Sequence, residues 1–383
     1  MTDTSGDTAG GPRTAQAGFE SLDLAWKPNW AETRRHFTDW WQRRGLVVGS
    51  WGGVRAAQPQ AELPRPEHIS PASEAFYSDA RTRAARNHYM LSRQDFPLDM
   101  IPSADTMIGP GSLALCLGSE PAFSENTVWF GPTMEQDEDP EQRAPLRFHP
   151  ENRWWQVHEA TLRACSELAR GRYLVGCPDL VENIDILASL RDMTPLFMDL
   201  IERPEWVSEK LREINTVYFE VYDRIYEIIR GPDGGSVFEA YKLWGPGKTA
   251  KVQCDAATMF SPQMFREFVA PRLREQCAFL DYSMYHLDGQ EQFRHLDTLL
   301  GIEELDAIEW TPNANLPFGG DPQWFDLYRR ILDAGKSVQV YLVWAEEIVP
   351  VLDAIGSEGV YILGLFRSPD EVESVARGIE GFR

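Results

Sequence analysis

The sequence predicts an α/β protein, a (β/α)8 TIM barrel with an N-terminal extension. Three observations predict it. Strand-length runs of apolar, β-branched or aromatic residues alternate with longer amphipathic runs along most of the 383 residues. Eight such runs occur, the number that closes a barrel. The last four begin at 282, 307, 337 and 359, in steps of 22 to 30 residues, which is what a strand plus a crossover helix requires. A doubly wound open sheet would share the alternation. No glycine-rich phosphate fingerprint follows any of the runs, however, and LWGPGKT (243–249) lacks the spacing of a phosphate loop.

In chain order the expected strands are LVVGSW (46–51), FPLDMIP (96–102), YLVGCPD (173–179), SVFEAYKLW (236–244), YSMYHLD (282–288), AIEWTP (307–312), SVQVYLVW (337–344) and GVYILGL (359–365). Each is a few residues long, and most end at Gly, Pro, Asp or Trp. Between them, Val207, Leu211, Ile214, Tyr218, Val221, Ile225 and Ile228 recur at spacings of three and four, one face of a helix over 205–230. Ser261-Pro262 and Ser368-Pro369 each offer an N-cap followed by a proline that fits the first helical position, and Glu371 adds a capping box to the second. Pro271 falls inside the 263–280 pattern and should kink or split that helix.

Residues 1–18 are small, polar and glycine-rich, and read as a disordered tail; 19–383 reads as one domain. The stretch 58–73 is a proline-punctuated connection, and the acidic 132–152 reads as a surface excursion. Hydrophobic residues make up 43% of the chain and charged residues 25%, an ordinary globular balance. The formal net charge of −22 argues against nucleic-acid and anionic-membrane partners. The five cysteines are scattered, with no CxxC pair, so no disulfide framework is expected. With no signal-like N-terminus and no 18-residue apolar run, the expected location is the cytoplasm.

A barrel enzyme carries its chemistry at the C-terminal ends of its strands, and that rule selects candidates. His286 and Asp288 in HLDG are two apart, so on a strand they share a face. Imidazole plus carboxylate there suits a divalent metal such as Zn²⁺, or a His whose pKa an acid tunes; a plain His–Asp pair at a strand end is the structural alternative. Glu309 and Trp310 end the next strand, and alternation turns only one of them inward. Glu309 would be a third ligand or an acid–base group. Asp179 stands at the end of YLVGCPD, whereas Glu182 and Asp185 have sufficient reason to exist as first-turn helix acids. Trp244, Gln253 and Asp255 lie in a stretch that reads as a long loop suited to substrate hydrogen bonding. Cys254 has no basic neighbour except Lys251 and is not expected to be a nucleophile. Trp51, Trp129, Trp244, Trp310 and Trp344 are strand-end or loop aromatics. Asp99 is either a site carboxylate or a loop cap, and Arg367, past the last strand, would bind an anionic group or lie on the surface.

CDAATMFSPQMFREFVAPRL followed by YHLDGQEQFRHLDTLL resembles the uroporphyrinogen decarboxylase-like superfamily. That group includes methyltransferases serving corrinoid proteins and coenzyme M, and it is related to cobalamin-independent methionine synthase. The resemblance runs from about residue 95 to the C-terminus and is strongest over 173–312, with SP-x-M-F-x-x-F-x-x-P its most specific segment. It implies a (β/α)8 barrel and, for some members, a homodimer. Two departures narrow the function. The arginine-rich loop that grips uroporphyrinogen carboxylates is represented only by Arg55 in LVVGSWGGVRAAQ, so uroporphyrinogen itself is not expected. The zinc methyltransferases place H-x-C where this chain has His286 and Asp288, and the late cysteine is missing from GVYILGLF, so any metal site here has harder ligands.

Three readings follow. The first is metal-assisted methyl transfer to or from a corrinoid on a partner protein. His286 and Asp288 would hold the metal, and Trp244, Gln253, Asp255, Trp310 and Arg367 would meet a small-molecule substrate. The second is a cofactor-free decarboxylase or other lyase using Asp99, Asp179 or Glu309, with an arginine gripping the leaving carboxylate. The third is a non-catalytic small-molecule-binding barrel.

Overall fold

The computed structural model describes residues 23–134 and 139–383. The expected 1–18 tail and residues 135–138 of the 132–152 segment lie outside the described residues.

Helix α1 (Trp30–Trp41) leads into strand β1 (Leu46–Gly49). After helix α2 (Ala80–Ser92) come strand β2 (Ser103–Ala104), helix α3 (Arg153–Ala169) and strand β3 (Leu174–Cys177). Helix α4 (Asn183–Arg191) and the long α5 (Pro204–Ile229) precede three short strands, β4 (Ser236–Phe238), β5 (Leu243–Gly245) and β6 (Thr249–Gln253). The regular remainder is α6 (Ala270–Phe279), β7 (Tyr282–Asp288), β8 (Ala307–Thr311), α7 (Phe325–Asp333), β9 (Ser337–Trp344), α8 (Ile348–Ile355), β10 (Val360–Leu365) and α9 (Pro369–Gly378).

The central sheet is parallel and six-stranded, in the order β1-β10-β9-β8-β7-β6. A second sheet runs β2-β3-β4-β5, with β5 antiparallel to β4. The pleat sorts the central strands into two faces. Val252, Tyr285, Leu287, Ile308, Trp310, Val338 and Val340 share one face and are fully buried. Each such side chain stabilises the fold by about 1.5–3 kcal/mol. Lys251, Gln253, His286, Glu309 and Gln339 occupy the other face and are also buried. A parallel sheet buried on both faces normally reads as apolar throughout, so the second row is a functional candidate from its composition alone.

The α5 stripe is buried from Val207 through Ile225, with Ile228 half-buried at its end. Ser261 and Ser368 cap their helices as expected, accepting from Met264 N and Glu371 N. Ahead of α6 the chain passes through a π-helical stretch, Phe265–Val269, which accommodates the break that Pro271 demands.

Three expectations need correction. FPLDMIP is not a strand: Pro97 and Pro102 punctuate it, Leu98 sits at φ +51°, and pairing begins only at Ser103. SVFEAYKLW is not one strand but the β4–β5 hairpin. Glu239 and Lys242 interrupt its apolar run and ion-pair across the turn, where both also hydrogen-bond Ser103. TAKVQ, read as loop, is strand β6; Lys and Gln on its inner face masked a period-two pattern.

Asp99 ties the edge of the central sheet. It is fully buried; its Oδ1 lies 2.7 Å from His36 Nδ1, and its Oδ2 accepts from Val48 N at 2.9 Å and Arg383 at 2.6 Å. Its own amide donates to Val48 O at 2.9 Å, so helix α1, strand β1 and the chain's last residue meet on one carboxylate. Asp99→Ala should lose on the order of 3 kcal/mol, because it leaves Arg383 and the Val48 amide without a buried acceptor; Asp99→Asn should lose less. Denaturant midpoints of the two variants check this, and equal loss would show that a neutral acceptor at this position contributes nothing.

Candidate active site

The polar row converges at the C-terminal ends of β6, β7 and β8. Register places Gln253 beside His286 and His286 beside Glu309, on adjacent strands and one face. His286 Nδ1 lies 2.5 Å from Glu309 Oε2, and Thr311 donates to the other Glu309 oxygen at 2.7 Å. A carboxylate at Nδ1 selects the tautomer that carries its proton there, leaving the Nε2 lone pair free. Burial alone would lower the His286 pKa, but the Glu309 carboxylate, by charge and hydrogen bond, outweighs it and holds the imidazole above its ordinary value. The Tyr241 hydroxyl lies 2.9 Å from Nδ1 and 3.2 Å from Nε2; burial keeps its phenol protonated far above neutral pH.

Asp288 is the last residue of β7, and Gly289 follows at φ +80°. Only glycine turns there readily, and a Cβ would crowd Asn313 and Glu291 at 3.1 Å. The sharp exit leaves Asp288 at the strand tip. Asp255 opens a 3₁₀ turn after β6, its position fixed from two sides: Gln253 Nε2 donates to its carboxylate at 2.9 Å, and Asp185 accepts from the amides of Asp255 (2.7 Å) and Ala256 (2.9 Å). Asp255, His286 and Asp288 thereby bring one ligand atom each to within 4.8 Å of one another. Burial raises the Asp288 pKa, though nearby His286 opposes the rise.

Beside this triad lies a buried charge network. Lys251 Nζ donates to Asp179 Oδ2 at 2.9 Å and to Gln253 Oε1. Burial disfavours its charge, yet Asp179 and Glu182 hold its pKa above the ordinary value. Glu182 Oε1 accepts from Gln253 N at 2.6 Å. Val181 (φ +54°) and Asn183 (φ +57°) flank Glu182, and a β-branched residue in that region is strained. The strain accompanies a chain excursion that carries Glu182 across to β6.

The structure therefore gathers His286, Asp288, Asp255, Gln253 and Glu309, and joins Asp179 to them through Lys251. Four other residues singled out above lie elsewhere. Asp99 is engaged with His36, Val48 and Arg383. Trp244 packs edge-on against Trp30 and Phe37 of α1. Trp310 faces away from Glu309, buried against Phe293 and Trp324. Arg367 is exposed, paired with Glu346 and Glu371 and stacked over Trp344. Glu182 and Asp185, read as helix-dipole acids, instead brace the two ends of the Gln253–Asp255 segment. Lys251, Tyr241 and Tyr341 escaped the sequence reading. For Lys251 the alternation of TAKVQ was masked by its own polar residues, and the tyrosines offered no signal.

No family model and no curated protein matches the chain. Among solved structures, a methyltransferase from Methanosarcina mazei is similar, with a TM-score of 0.60 at 11% identity, over 91% of this chain and 98% of that one. At that identity the likeness is one of fold.

Burial raises the Glu182 pKa from 4.5 to about 8, despite the opposing charge of Lys251. A carboxyl raised in the folded state binds its proton more tightly there. The stability it contributes is complete below pH 4.5 and is lost as pH rises toward 8. At about 1.4 kcal/mol per pH unit the loss has an upper bound of roughly 5 kcal/mol. Glu182→Gln keeps the acceptor for Gln253 N and cannot ionise. Its denaturant midpoint should therefore decline less steeply than wild type between pH 5 and 8; parallel curves would refute the assignment.

Proposed function

We propose that the chain closes into a (β/α)8 barrel and acts as a metal-assisted methyltransferase on a small organic substrate, exchanging the methyl group with a corrinoid on a partner protein. For closure, the support comes from both edges of the central sheet. Asp99 N donates to Val48 O on the β1 edge, just ahead of β2, and β6 on the far edge lies against β4 and β5. For the reaction, the observation that carries it is the Asp255–His286–Asp288 cluster at the strand ends, with Glu309 behind the histidine. The fold shared with a methyltransferase agrees with it.

The donor set fits a divalent ion. One imidazole nitrogen and two carboxylates suit Zn²⁺ or a harder ion such as Mn²⁺, and the carboxylate behind His286 is the outer partner a ligating histidine needs. When bound, the ion supplies Lewis acidity at the heteroatom that carries the methyl group, where the bonding pair is left as the methyl group departs. The chain's own residues do the rest. Gln253 and Asp185 hold Asp255 in place, Glu309 holds the His286 ring, and the Tyr241 hydroxyl adds a neutral donor beside Nε2. Decarboxylation calls for a cation to hold the departing carboxylate. The permanent cation of this cluster is Lys251, and Asp179 and Gln253 already occupy it. Methyl transfer is the better-supported chemistry.

Titration of chelator-treated protein with Zn²⁺ and Mn²⁺ should find one site, and His286→Ala and Asp288→Asn should weaken it at least 100-fold. With free cob(I)alamin as acceptor and a panel of methyl ethers, thioethers and methylamines as donors, His286→Ala should lower the rate by a similar factor. Metal-free protein, with His286→Ala as active as wild type, would refute this function.

A further inference from the structure

Three aromatic rings cluster beside His286 and have no part in the chemistry above except through the Tyr241 hydroxyl. Trp51 follows β1, Tyr241 lies in the β4–β5 turn, and Tyr341 is in β9. Their ring centroids stand 5.9 Å (Trp51–Tyr241), 6.0 Å (Trp51–Tyr341) and 6.3 Å (Tyr241–Tyr341) apart, and Tyr241 lies 5.2 Å from the His286 ring. Trp51 is 38% exposed, which is unusual for a tryptophan held by two other rings, and Tyr341 is half-buried. Tyr341 owes its place to a bulge: the β9–β10 register shifts between Tyr341 and Val343, with Leu342 at φ +51° between them. The carboxylates of Glu309 and Asp288 lie near enough to reinforce the effect of burial on the Tyr341 phenol.

A second, independent observation concerns oxygen atoms. Asp179 Oδ1 and Gln339 Oε1 are buried and have no hydrogen-bond partner, although their residues are only 5% and 0% exposed. Both belong to the polar network around His286. Asp179 is joined through Lys251 and Gln253 to Asp255, while Gln339 stands beside Glu309 in register and its amide donates to Tyr241 O at 3.0 Å. Both free atoms are acceptors. Together with whatever charge of Asp255 and Asp288 a metal ion leaves uncompensated, they make these surroundings rich in acceptors, and Lys251 is already paired with Asp179. Aromatic faces likewise present negative potential.

We infer that this cluster takes a small organic cation, an ammonium-bearing alcohol, ether or thioether, whose cationic end rests against Trp51 and Tyr341 while its oxygen or sulfur reaches the His286 end. The inference rests on the cluster being a substrate site and names the class of that substrate. Away from the metal-binding triad, a carboxylate or phosphate guest would meet unpaired acceptors and, among the described residues of this cluster, no unpaired cation.

Binding of choline, of its neutral isostere 3,3-dimethylbutan-1-ol and of the anion 3-hydroxybutyrate to the full chain decides the question. Calorimetry and tryptophan fluorescence are the readouts, each with Zn²⁺ supplied and with chelator present. Choline should bind at least tenfold more tightly than the isostere. Trp51→Leu and Tyr341→Leu should each erase most of that preference, and Trp51→Phe should keep part of it. Equal affinity for choline and the isostere, preference for the anion, or a preference untouched by both substitutions would overturn the inference. Zinc binding is read separately from the same samples. A choline preference without zinc binding would support the cation and remove the metal, whereas zinc binding without a choline preference would do the reverse.

Discussion

Two faces of one parallel sheet are buried here, and only one of them is apolar. Every feature of the site follows from that constraint. Polar side chains removed from water must find partners within the protein, or each costs on the order of 1–3 kcal/mol. Across β6, β7 and β8 the partners are supplied by register: Gln253, His286 and Glu309 stand side by side, and the His286–Glu309 contact converts two expensive buried groups into one tolerable pair. A one-residue slip would bring Leu287 or Trp310 into the row and break it. The strands' pairing and the histidine's tautomer are thus the same fact seen at two scales.

The network is built outward from this row by residues that pay in backbone strain. Glu182 reaches Gln253 N between two non-glycine residues at positive φ, and Tyr341 stands at a bulge whose next residue is also at positive φ. Lys242, at φ +48°, closes the β4–β5 turn that delivers Tyr241. Three strained segments thus adjoin three site residues from separate parts of the chain. Strain persists only where the surrounding structure over-determines it, and here hydrogen bonds do so: Glu182 to Gln253, Gln339 to Tyr241 O, and Tyr361 to Lys242 O.

That division explains what could be read from the sequence. The β7, β8, β9 and β10 strands were legible nearly to the residue, because each couples a dense apolar face to a clear terminator. Chemistry at their tips was legible for the same reason: strand alternation alone put His286 with Asp288 and separated Glu309 from Trp310. Legibility failed where polar residues occupied inner-face positions. TAKVQ looked like a loop because a strand with Lys and Gln facing inward has lost the hydrophobic signal. SVFEAYKLW looked like one strand because its turn is made by an ion pair and not by glycine or proline. Tyr241 and Tyr341 depend on that turn and on the bulge, neither of which has a local sequence signature. Asp99 and Arg367 were chosen for position along the chain, but their hydrogen bonds come from α1, the C-terminus and α9, segments distant in sequence or on the surface.

The β4–β5 hairpin has the widest consequence of these irregularities. A crossover helix at this point would have sent the chain away from the inner face; the hairpin keeps 239–245 within hydrogen-bond reach of it, since the Tyr241 and Lys242 carbonyls accept from Gln339 and Tyr361 of β9 and β10. Glu239 and Lys242 then fill space beneath the row, and Gly176 has no side chain because a Cβ there would collide with Glu239. The same turn brings the Tyr241 hydroxyl against the His286 ring. The neighbour that His286 meets across this face is therefore set by a turn that a buried ion pair holds together.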